Sequence, residues 1–424
     1  MPSIHVSNYG CSANLSEAEA ISGILKKQGH SLGNKKDAEL LVLNVCTVKG
    51  DHQALRAVRQ AREENQKAKL VITGCVTKNL REELGQKYPD ASVSNTNNLH
   101  IIQETVQKTI DGEKVVHITG SKEQKANIPR VRTNPVISIL PISNGCLSTC
   151  SYCSTKQVKG ALSSYPLTMI HKEFEESLKE GCKEFWITSQ DNGCWGHDIG
   201  MTPATLLKEL LNYDDEYRIR YGMASPQHIL KCQKEFLSCF HDKKMYKFLH
   251  LPLQSGSNNI LKEMKREYTA EEYEQLISDI KKEHPDMTIT TDIIVGYPTE
   301  TEEDFEKTIA IIKRTRPHIT NISRFARREG TTSSKHKLLP TEIVQERSRR
   351  LTQVCDGITQ EYMKEMVGTT QKVFANNHLR KGSTQTRSNN YTSIVIQEEL
   401  PLGTFHTVKV TGVGRKYCVG KLLH

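Results

Sequence analysis

The 424-residue chain has no uninterrupted apolar run near the roughly 18 residues that a membrane-spanning helix needs. Its first residues, Met-Pro-Ser-Ile-His-Val-Ser, lack the basic and apolar regions of a signal peptide. With a hydrophobic content of 36% and a mean hydropathy of -0.53, these absences argue against a membrane span and point to a cytoplasmic protein. In that reducing compartment the 12 cysteines are better metal ligands or core residues than disulfide partners. A second Cys-x2-Cys knuckle and a His-x3-His partner are also missing near the densest group of cysteines, which disfavours a closed structural zinc site. Acidic residues are scarce in residues 366–424, where eight Lys or Arg face only Glu398 and Glu399. A basic face of that kind attracts a polyphosphate, most simply a nucleic acid.

What is present is organised around residues 143–153, Ser-Asn-Gly-Cys-Leu-Ser-Thr-Cys-Ser-Tyr-Cys, with thiols at Cys146, Cys150 and Cys153. This spacing lets one loop wrap a metal-sulfur cube with three thiolates and leaves one coordination position open. An open iron belongs to a catalytic cluster rather than an electron carrier. With the aromatic Tyr152 before the third cysteine, the arrangement resembles the radical S-adenosylmethionine (SAM) superfamily. Zinc is the weaker reading, and thiols buried as small hydrophobes do not cluster in a glycine-containing loop.

Residues 1–121 alternate apolar strands (4–8, 40–45, 70–73) with amphipathic helices, a doubly wound α/β pattern with parallel strands expected. The first helix is expected to start at a capping box of Ser16 and Glu19, with others over 51–66 and 79–88. Cys11, Cys46 and Cys75 each follow the carboxyl end of a strand. In an open parallel sheet those ends share one edge, so the three thiols can converge into a second three-cysteine site. Three unrelated core cysteines are the alternative. Residues 122–134, with Lys122, Lys125, Arg130, Arg132 and no apolar periodicity, read as a linker.

Residues 135–363 contain six strand-helix units, with strands near 136–142, 184–188, 218–223, 247–253, 288–295 and 319–325. Thr202 before Pro203 and the pairs Thr269 with Glu272 and Thr301 with Asp304 mark helix starts. Six units imply a partial (β/α)6 TIM-type barrel, with function at the carboxyl ends of its strands. The cysteine loop follows the first strand and Ser189-Gln190-Asp191-Asn192-Gly193 the second. Gln254-Ser255-Gly256-Ser257 follows the fourth and residues 324–331 the sixth. Bound SAM needs partners for its amine, carboxylate and ribose, and Ser189, Gln190, Asp191, Gln254 and Ser255 are candidates.

The two three-cysteine sites, the loop 189–193, His-Leu-Pro-Leu-Gln-Ser-Gly-Ser (250–257), Met-Lys-Arg-Glu-Tyr-Thr (264–269) and Thr-Asp-Ile-Ile-Val-Gly-Tyr-Pro-Thr-Glu-Thr (291–301) together carry a family. They resemble the radical SAM methylthiotransferases, above all the archaeal and eukaryotic type acting on threonylcarbamoyladenosine in tRNA. The resemblance implies an N-terminal methylthiotransferase domain, a radical SAM domain and a C-terminal TRAM domain, a small RNA-binding β-barrel. It implies two 4Fe-4S clusters, a SAM-cleaving one on Cys146, Cys150 and Cys153 and an auxiliary one on Cys11, Cys46 and Cys75. SAM cleaved at the first would give a radical that takes the carbon 2 hydrogen of adenine; the auxiliary cluster would supply sulfur. The implied product is 2-methylthio-threonylcarbamoyladenosine next to the anticodon. The same chemistry on isopentenyladenosine or a ribosomal protein, a non-enzymatic iron-sulfur RNA-binding redox sensor, and a zinc-dependent RNA-binding module are the alternatives. The implied partners are a tRNA anticodon stem-loop, an external electron donor and an external sulfur donor, for a monomer without membrane contact. Arg328 matches a basic position of the family, whereas Glu329 stands where a proline usually precedes Gly-Thr. Some eukaryotic relatives end in a membrane anchor; this chain stops at Gly-Lys-Leu-Leu-His, which implies a soluble, archaeal-type protein.

Residues 365–424 show short strand-like segments (371–375, 391–396, 407–410) separated by glycines. Lys372, Arg380, Lys381 and Arg387 are candidates for backbone phosphates and Tyr391 for stacking a loop base. Cys182, Cys194, Cys232, Cys239, Cys355 and Cys418 read as structural, Cys194 least securely because it follows the second loop.

Overall fold

A computed structural model of the chain describes residues 2–46, 50–118, 124–380 and 382–423. Lys122 of the linker and Lys381 of the basic set lie outside the described residues.

The first domain is built on six parallel strands in the order Ser31–Leu32, Ser3–Asn8, Leu40–Val45, Lys69–Gly74, Ser92–Ser94, Val116–His117. Strand Leu40–Val45 is buried throughout, so it reads as a continuous apolar run. Its side chains still alternate between two cores. Leu41, Leu43 and Val45 pack with Ala54, Val58, Leu80 and Leu84, and Leu40 and Val42 pack with Ile21, Leu25, Ile102 and Val106 on the other face. Helices on both faces make the sheet doubly wound. Chain order reverses beside Ser3–Asn8, the switch point where such sheets bind ligands.

The first helix runs Ser12–Lys27, with Cys11 at its N-cap. The expected capping box at Ser16 and Glu19 is therefore a misreading: both lie a turn or more inside the helix and are buried. Glu19 instead accepts from the Thr133 N–H and hydroxyl, both at 2.8 Å. The expected linker is likewise no free tether. Arg130 Nε lies 2.7 Å from Glu173, with side chains 3% and 4% exposed, and Arg132 donates to Glu180 and Ser177. Removing one member of a buried pair strands the other charge. Arg130→Met is expected to lower unfolding stability by about 3–5 kcal/mol in denaturant titration.

The second domain has six parallel strands in two sheets. Ile137–Pro141, Glu184–Thr188 and Arg218–Arg220 form one; Phe248–His250, Thr288–Val295 and Ile319–Arg324 form the other. A bridge between Ile219 and Met245 and the Ala224 N–H bond to the His250 carbonyl join them into one open curve. The predicted caps hold: Thr202 precedes Pro203, and Thr269 with Glu272 and Thr301 with Asp304 form capping boxes. A 25-residue helix, Thr341–Glu365, packs Leu351, Cys355 and Ile358 into this domain's core, and Met363 reaches the core of the next.

Thr370–His378, Thr384–Ser388, Ser393–Ile396, Phe405–Val413 and Cys418–Leu422 close into a small barrel. The segments 384–388 and 418–422 escaped the sequence reading because Thr-Gln-Thr-Arg-Ser is polar throughout and Cys418–Leu422 is broken by Gly420. The barrel docks on the amino ends of the central strands. Phe374 packs with Val136 and Ile137, Asn376 Nδ2 donates to Glu184 at 2.9 Å, and the Lys247 N–H donates to the Asn389 carbonyl at 2.8 Å.

Candidate functional site

Strand Leu40–Val45 is followed by Cys46, and strand Lys69–Gly74 by Cys75, so adjacent parallel strands deliver two thiols side by side. Gly74 makes the approach possible. Its φ is +97°, and a Cβ there would sit 2.1 Å from Asn44 Oδ1. Cys11 arrives from the neighbouring strand at the start of the first helix. Buried Asn14 holds that helix in place by donating to Asn44 Oδ1 at 2.9 Å and to the Val45 carbonyl at 3.0 Å. The side chain of Cys46 hydrogen-bonds with those of both Cys11 and Cys75. The bond from Cys46 pulls Cys11 down to about 6 and Cys75 to about 7 against burial, while Cys46 is pushed up. The three distant thiols thus form one set with two groups ready to ionise, as soft metal ligands must be.

The cysteine loop of the central domain turns at Gly145, whose φ is +78° and where a Cβ would lie 2.2 Å from the Ala161 carbonyl. Cys146, Cys150 and Cys153 follow, all partly exposed. Arg266 donates from Nη1 to Cys150 Sγ at 3.2 Å and from Nε to Tyr268 Oη at 3.2 Å, and is 9% exposed. The Thr155 N–H donates to Cys153 Sγ at 3.4 Å. Ser148 sits within the loop beside Gln227 Nε2 at 3.0 Å and His228 Nε2 at 3.4 Å. Cys194 lies against Cys146 and donates to the Asp191 carbonyl at 3.1 Å, so it belongs to this site, unlike Cys182, Cys239 and Cys355, which are core residues.

Asp191 fastens the second mouth to the third: its Oδ1 accepts from the Gly193 N–H at 3.1 Å and the Ser225 N–H at 3.0 Å. Its Oδ2 lacks a hydrogen-bond partner and lies 3.6 Å from His228 Nε2. Burial pushes the His228 imidazole down toward its neutral form, against the pull of Asp191. Gln190 Oε1, Gln227 Oε1 and Arg266 Nη2 are also buried without partners. Three acceptors and one guanidinium donor left open around the cysteine loop fit a ligand that carries both an ammonium and a carboxylate, as the methionine end of SAM does.

The other expected residues follow the carboxyl ends of the strands but are taken up by local contacts. Ser255 is turned toward helix Glu302–Thr315, accepting from the Ser257 N–H at 3.2 Å and lying 3.4 Å from Thr308 Oγ1, so it packs the fourth loop rather than opening onto the mouth. Gln254 occupies the left-handed region at φ +70°, with its backbone bonded to Asp292 and Ile294. Ser189 Oγ donates to Asn192 Oδ1 at 3.1 Å. Tyr152 packs beside Ile260, Met264 and Tyr297. In the sixth loop Arg328 opens a turn that Thr331 closes onto the Arg328 carbonyl, with Gly330 at φ +76°. That is the glycine position of a type II turn, whose preceding position favours proline without requiring it, so exposed Glu329 leaves the turn intact.

Tyr391 corrects an expectation. Its ring packs 4.8 Å from Tyr246 and 5.0 Å from Phe248, with Arg387 above it at 4.5 Å and its hydroxyl 3.4 Å from Glu184. It holds the barrel to the central domain and offers no face to a base; Arg387 is engaged in the same contact. Tyr391→Ala is expected to cost about 3 kcal/mol in thermal or denaturant unfolding. Arg380 is exposed, and Lys372 pairs with exposed Glu216 at 3.4 Å and lies over the Phe405 ring at 4.9 Å.

The two cysteine sites lie on either side of a domain junction that is closed by direct contacts. Ser12, next to Cys11, hydrogen-bonds Thr188 at the carboxyl end of the second central strand at 2.7 Å, and Asn97 Nδ2 donates to the Val158 carbonyl at 3.0 Å. Lys159, at the end of the helix Thr155–Lys159 that follows Cys153, reaches Glu17 and Thr96 at 2.6 Å each, and Lys125 meets the same Glu17 oxygen at 2.6 Å. Burial opposes ionisation of Glu17, but the two ammonium groups prevail and hold it at about 2. None of Glu17, Lys159, Asn14, Gln227, His228 or Arg266 was singled out from sequence. Only Arg266 had a signal, its place inside a quoted motif.

Known proteins place this geometry. Residues 140–312 match the Radical SAM superfamily and residues 3–95 the family described as Uncharacterized protein family UPF0004. The solved structure of the radical SAM methyltransferase TsrM from Kitasatospora setae, with cobalamin and a 4Fe-4S cluster bound, shares the fold with a TM-score of 0.58 at 13% identity. The alignment covers 78% of this chain and 77% of that one. The chain is 35% identical to a protein of Pyrococcus horikoshii named probable threonylcarbamoyladenosine tRNA methylthiotransferase, over 100% of both chains. It is 35% identical to an Archaeoglobus fulgidus protein of the same name, over 99% of this chain and 98% of that one. It is 33% identical to the threonylcarbamoyladenosine tRNA methylthiotransferase of Danio rerio, over 100% of this chain and 79% of that one. With two three-cysteine sites meeting across one junction and this similarity running end to end, the chain belongs to the threonylcarbamoyladenosine tRNA methylthiotransferase family.

Proposed function

We propose that this protein is a radical SAM enzyme that methylthiolates carbon 2 of threonylcarbamoyladenosine next to the anticodon of tRNA, giving 2-methylthio-threonylcarbamoyladenosine. The observation that carries the reading is the pairing of the two cysteine sites, joined by Ser12 with Thr188 and by Lys159 with Glu17. One site suits SAM and the other a sulfur source, on the two sides of one domain junction.

The carbon 2 hydrogen of adenine is not acidic, so an ordinary base at neutral pH does not remove it. When bound, SAM and the two 4Fe-4S clusters supply the radical and sulfur chemistry that does. Cys146, Cys150 and Cys153 hold one cluster and Cys11, Cys46 and Cys75 the other. Arg266 orients Cys150 through its 3.2 Å contact, and its free Nη2 offers a donor to a carboxylate. Gln190 and Asp191 offer acceptors to an ammonium. Tyr152, Ser189, the Gln254 backbone and Arg328 border the same mouths and shape the cleft. Electrons and sulfur come from external donors, and the protein works as a cytoplasmic monomer. No helix among the described residues is long and apolar enough to cross a membrane.

The barrel docks on the strand ends opposite the cysteine loop, so its basic side chains grip RNA away from the reacting base. Arg380 and Lys372 are the described candidates, with Lys381 next to Arg380 in sequence. Arg380→Ala is expected to leave stability unchanged, weaken stem-loop binding and reduce its log-log salt slope by about one, measured by binding titrations at several salt concentrations.

The test is an anaerobic assay with both clusters loaded, dithionite, SAM and an anticodon stem-loop carrying threonylcarbamoyladenosine. Formation of 5'-deoxyadenosine together with methylthiolated nucleoside supports the proposal. Absence of SAM binding in calorimetry of the loaded protein would overturn it in favour of a redox sensor.

A further inference from the structure

We propose that Lys159 and Lys125, sharing the Glu17 carboxylate, form a buried cationic post that sets the charge of the Cys11, Cys46 and Cys75 site and favours the reduced form of a 4Fe-4S cluster there. The inference rests on reading that site as a cluster site.

Both ammonium groups meet one oxygen, Glu17 Oε1, at 2.6 Å. The Lys159, Lys125 and Glu17 side chains are 3%, 6% and 7% exposed. Thr96 Oγ1 also donates to that oxygen at 2.6 Å, and it is a neutral group. No other carboxylate meets either ammonium among the described residues. Burial pulls the Lys125 ammonium down to about 8, still above neutral pH, while the neighbouring anions hold Lys159 up against burial, so at neutral pH two cations against one anion leave a net positive charge out of reach of water; an isolated buried charge is strongly disfavoured. A negative partner must sit beside it. Both lysines act electrostatically on Cys75, and Lys159 acts on Cys11 as well. Three thiolates around an oxidised 4Fe-4S core carry one net negative charge, which matches the post. Uptake of one electron adds a second negative charge, and a fixed buried cation stabilises that state more than the oxidised one.

The placement gives the post a second role. Lys159 belongs to the helix that follows Cys153, while Glu17 and Thr96 belong to the first domain. One side chain therefore ties the SAM-site loop to the auxiliary site, a positioning residue for both.

The experiment uses the full chain with Cys146, Cys150 and Cys153 changed to Ala, so that only the auxiliary cluster assembles. Iron content and a one-electron titration with dithionite, followed by paramagnetic resonance, are measured. Lys159→Gln should lower the reduced-to-oxidised ratio at a fixed potential about tenfold, a midpoint shift of about 59 mV for one electron. Lys159→Arg, which keeps the charge, should stay near the parent. Lys125→Met removes the same charge without cutting the Lys159 link and should shift the midpoint the same way. A fully loaded Lys159→Gln protein with an unchanged midpoint overturns the proposal. If that variant loses its iron, an unchanged midpoint in Lys125→Met overturns it instead. Absence of iron from the parent overturns the cluster reading itself, and the post with it.

Discussion

Cys75→Ala is expected to abolish methylthio transfer, by more than about a hundredfold, while SAM is still cleaved reductively to 5'-deoxyadenosine. Cys75 lies in a hydrogen-bonded set with Cys11 and Cys46, and no contact links it to Cys146, Cys150 or Cys153 among the described residues. Its loss leaves two thiolates where three are needed, and the SAM-site loop keeps all of its own contacts. Quantifying 5'-deoxyadenosine and methylthiolated nucleoside in one reaction separates the two functions. Full methylthiolation by this variant would remove the auxiliary site from the account, whereas loss of both products would mean that the sites fold as one unit.

The second large effect belongs to Arg266. Its guanidinium is held by Cys150, by the Tyr268 hydroxyl and by the Tyr268 ring at 5.0 Å, with Nη2 left over. Groups that orient a metal ligand typically matter 10–100-fold, and Arg266→Met is expected to slow SAM cleavage by about that factor while the iron content stays close to the parent's. Methionine keeps much of the volume and loses the donors. Lysine should restore only part of the rate, because it offers a point charge without the planar fork. The readout is the rate of 5'-deoxyadenosine formation per cluster. An unchanged rate would show that the contact with Cys150 is a packing accident.

The sequence made the two cysteine sets legible and their surroundings hardly at all. Cys146, Cys150 and Cys153 are close in the chain, so their spacing reports geometry directly. Cys11, Cys46 and Cys75 are distant, yet each follows a strand, and a parallel sheet gathers strand ends at one edge; topology replaced proximity. The Thr269 and Thr301 caps were legible because capping is local. Ser16 with Glu19 had the same pattern and was wrong, since the helix gains a turn from Ser12 onward and buries both residues against the chain at 130–133. Lys125 and Arg130 looked like solvated linker charges because their partners, Glu17 and Glu173, lie 108 and 43 residues away. Tyr391 looked like a stacking platform for the same reason: nothing near it in sequence announces Tyr246, Phe248 or Glu184.

The placement of the barrel adds a geometric demand. It docks at the amino ends of the central strands, whereas the cysteine loop, Asp191 and the Arg328 turn lie at the carboxyl ends. If the barrel holds the stem-loop as proposed, the RNA has to reach from one end of the central strands to the other.

The activity proposed for this chain is the placing of a methylthio group on threonylcarbamoyladenosine in tRNA. Nucleoside mass spectrometry of tRNA from a host lacking the activity, with and without this protein, tests it most directly. 2-Methylthio-threonylcarbamoyladenosine is expected only when the protein is expressed. A methylthio group on isopentenyladenosine would keep the chemistry and contradict the substrate. Unchanged tRNA, with both clusters shown to be loaded, would contradict the function.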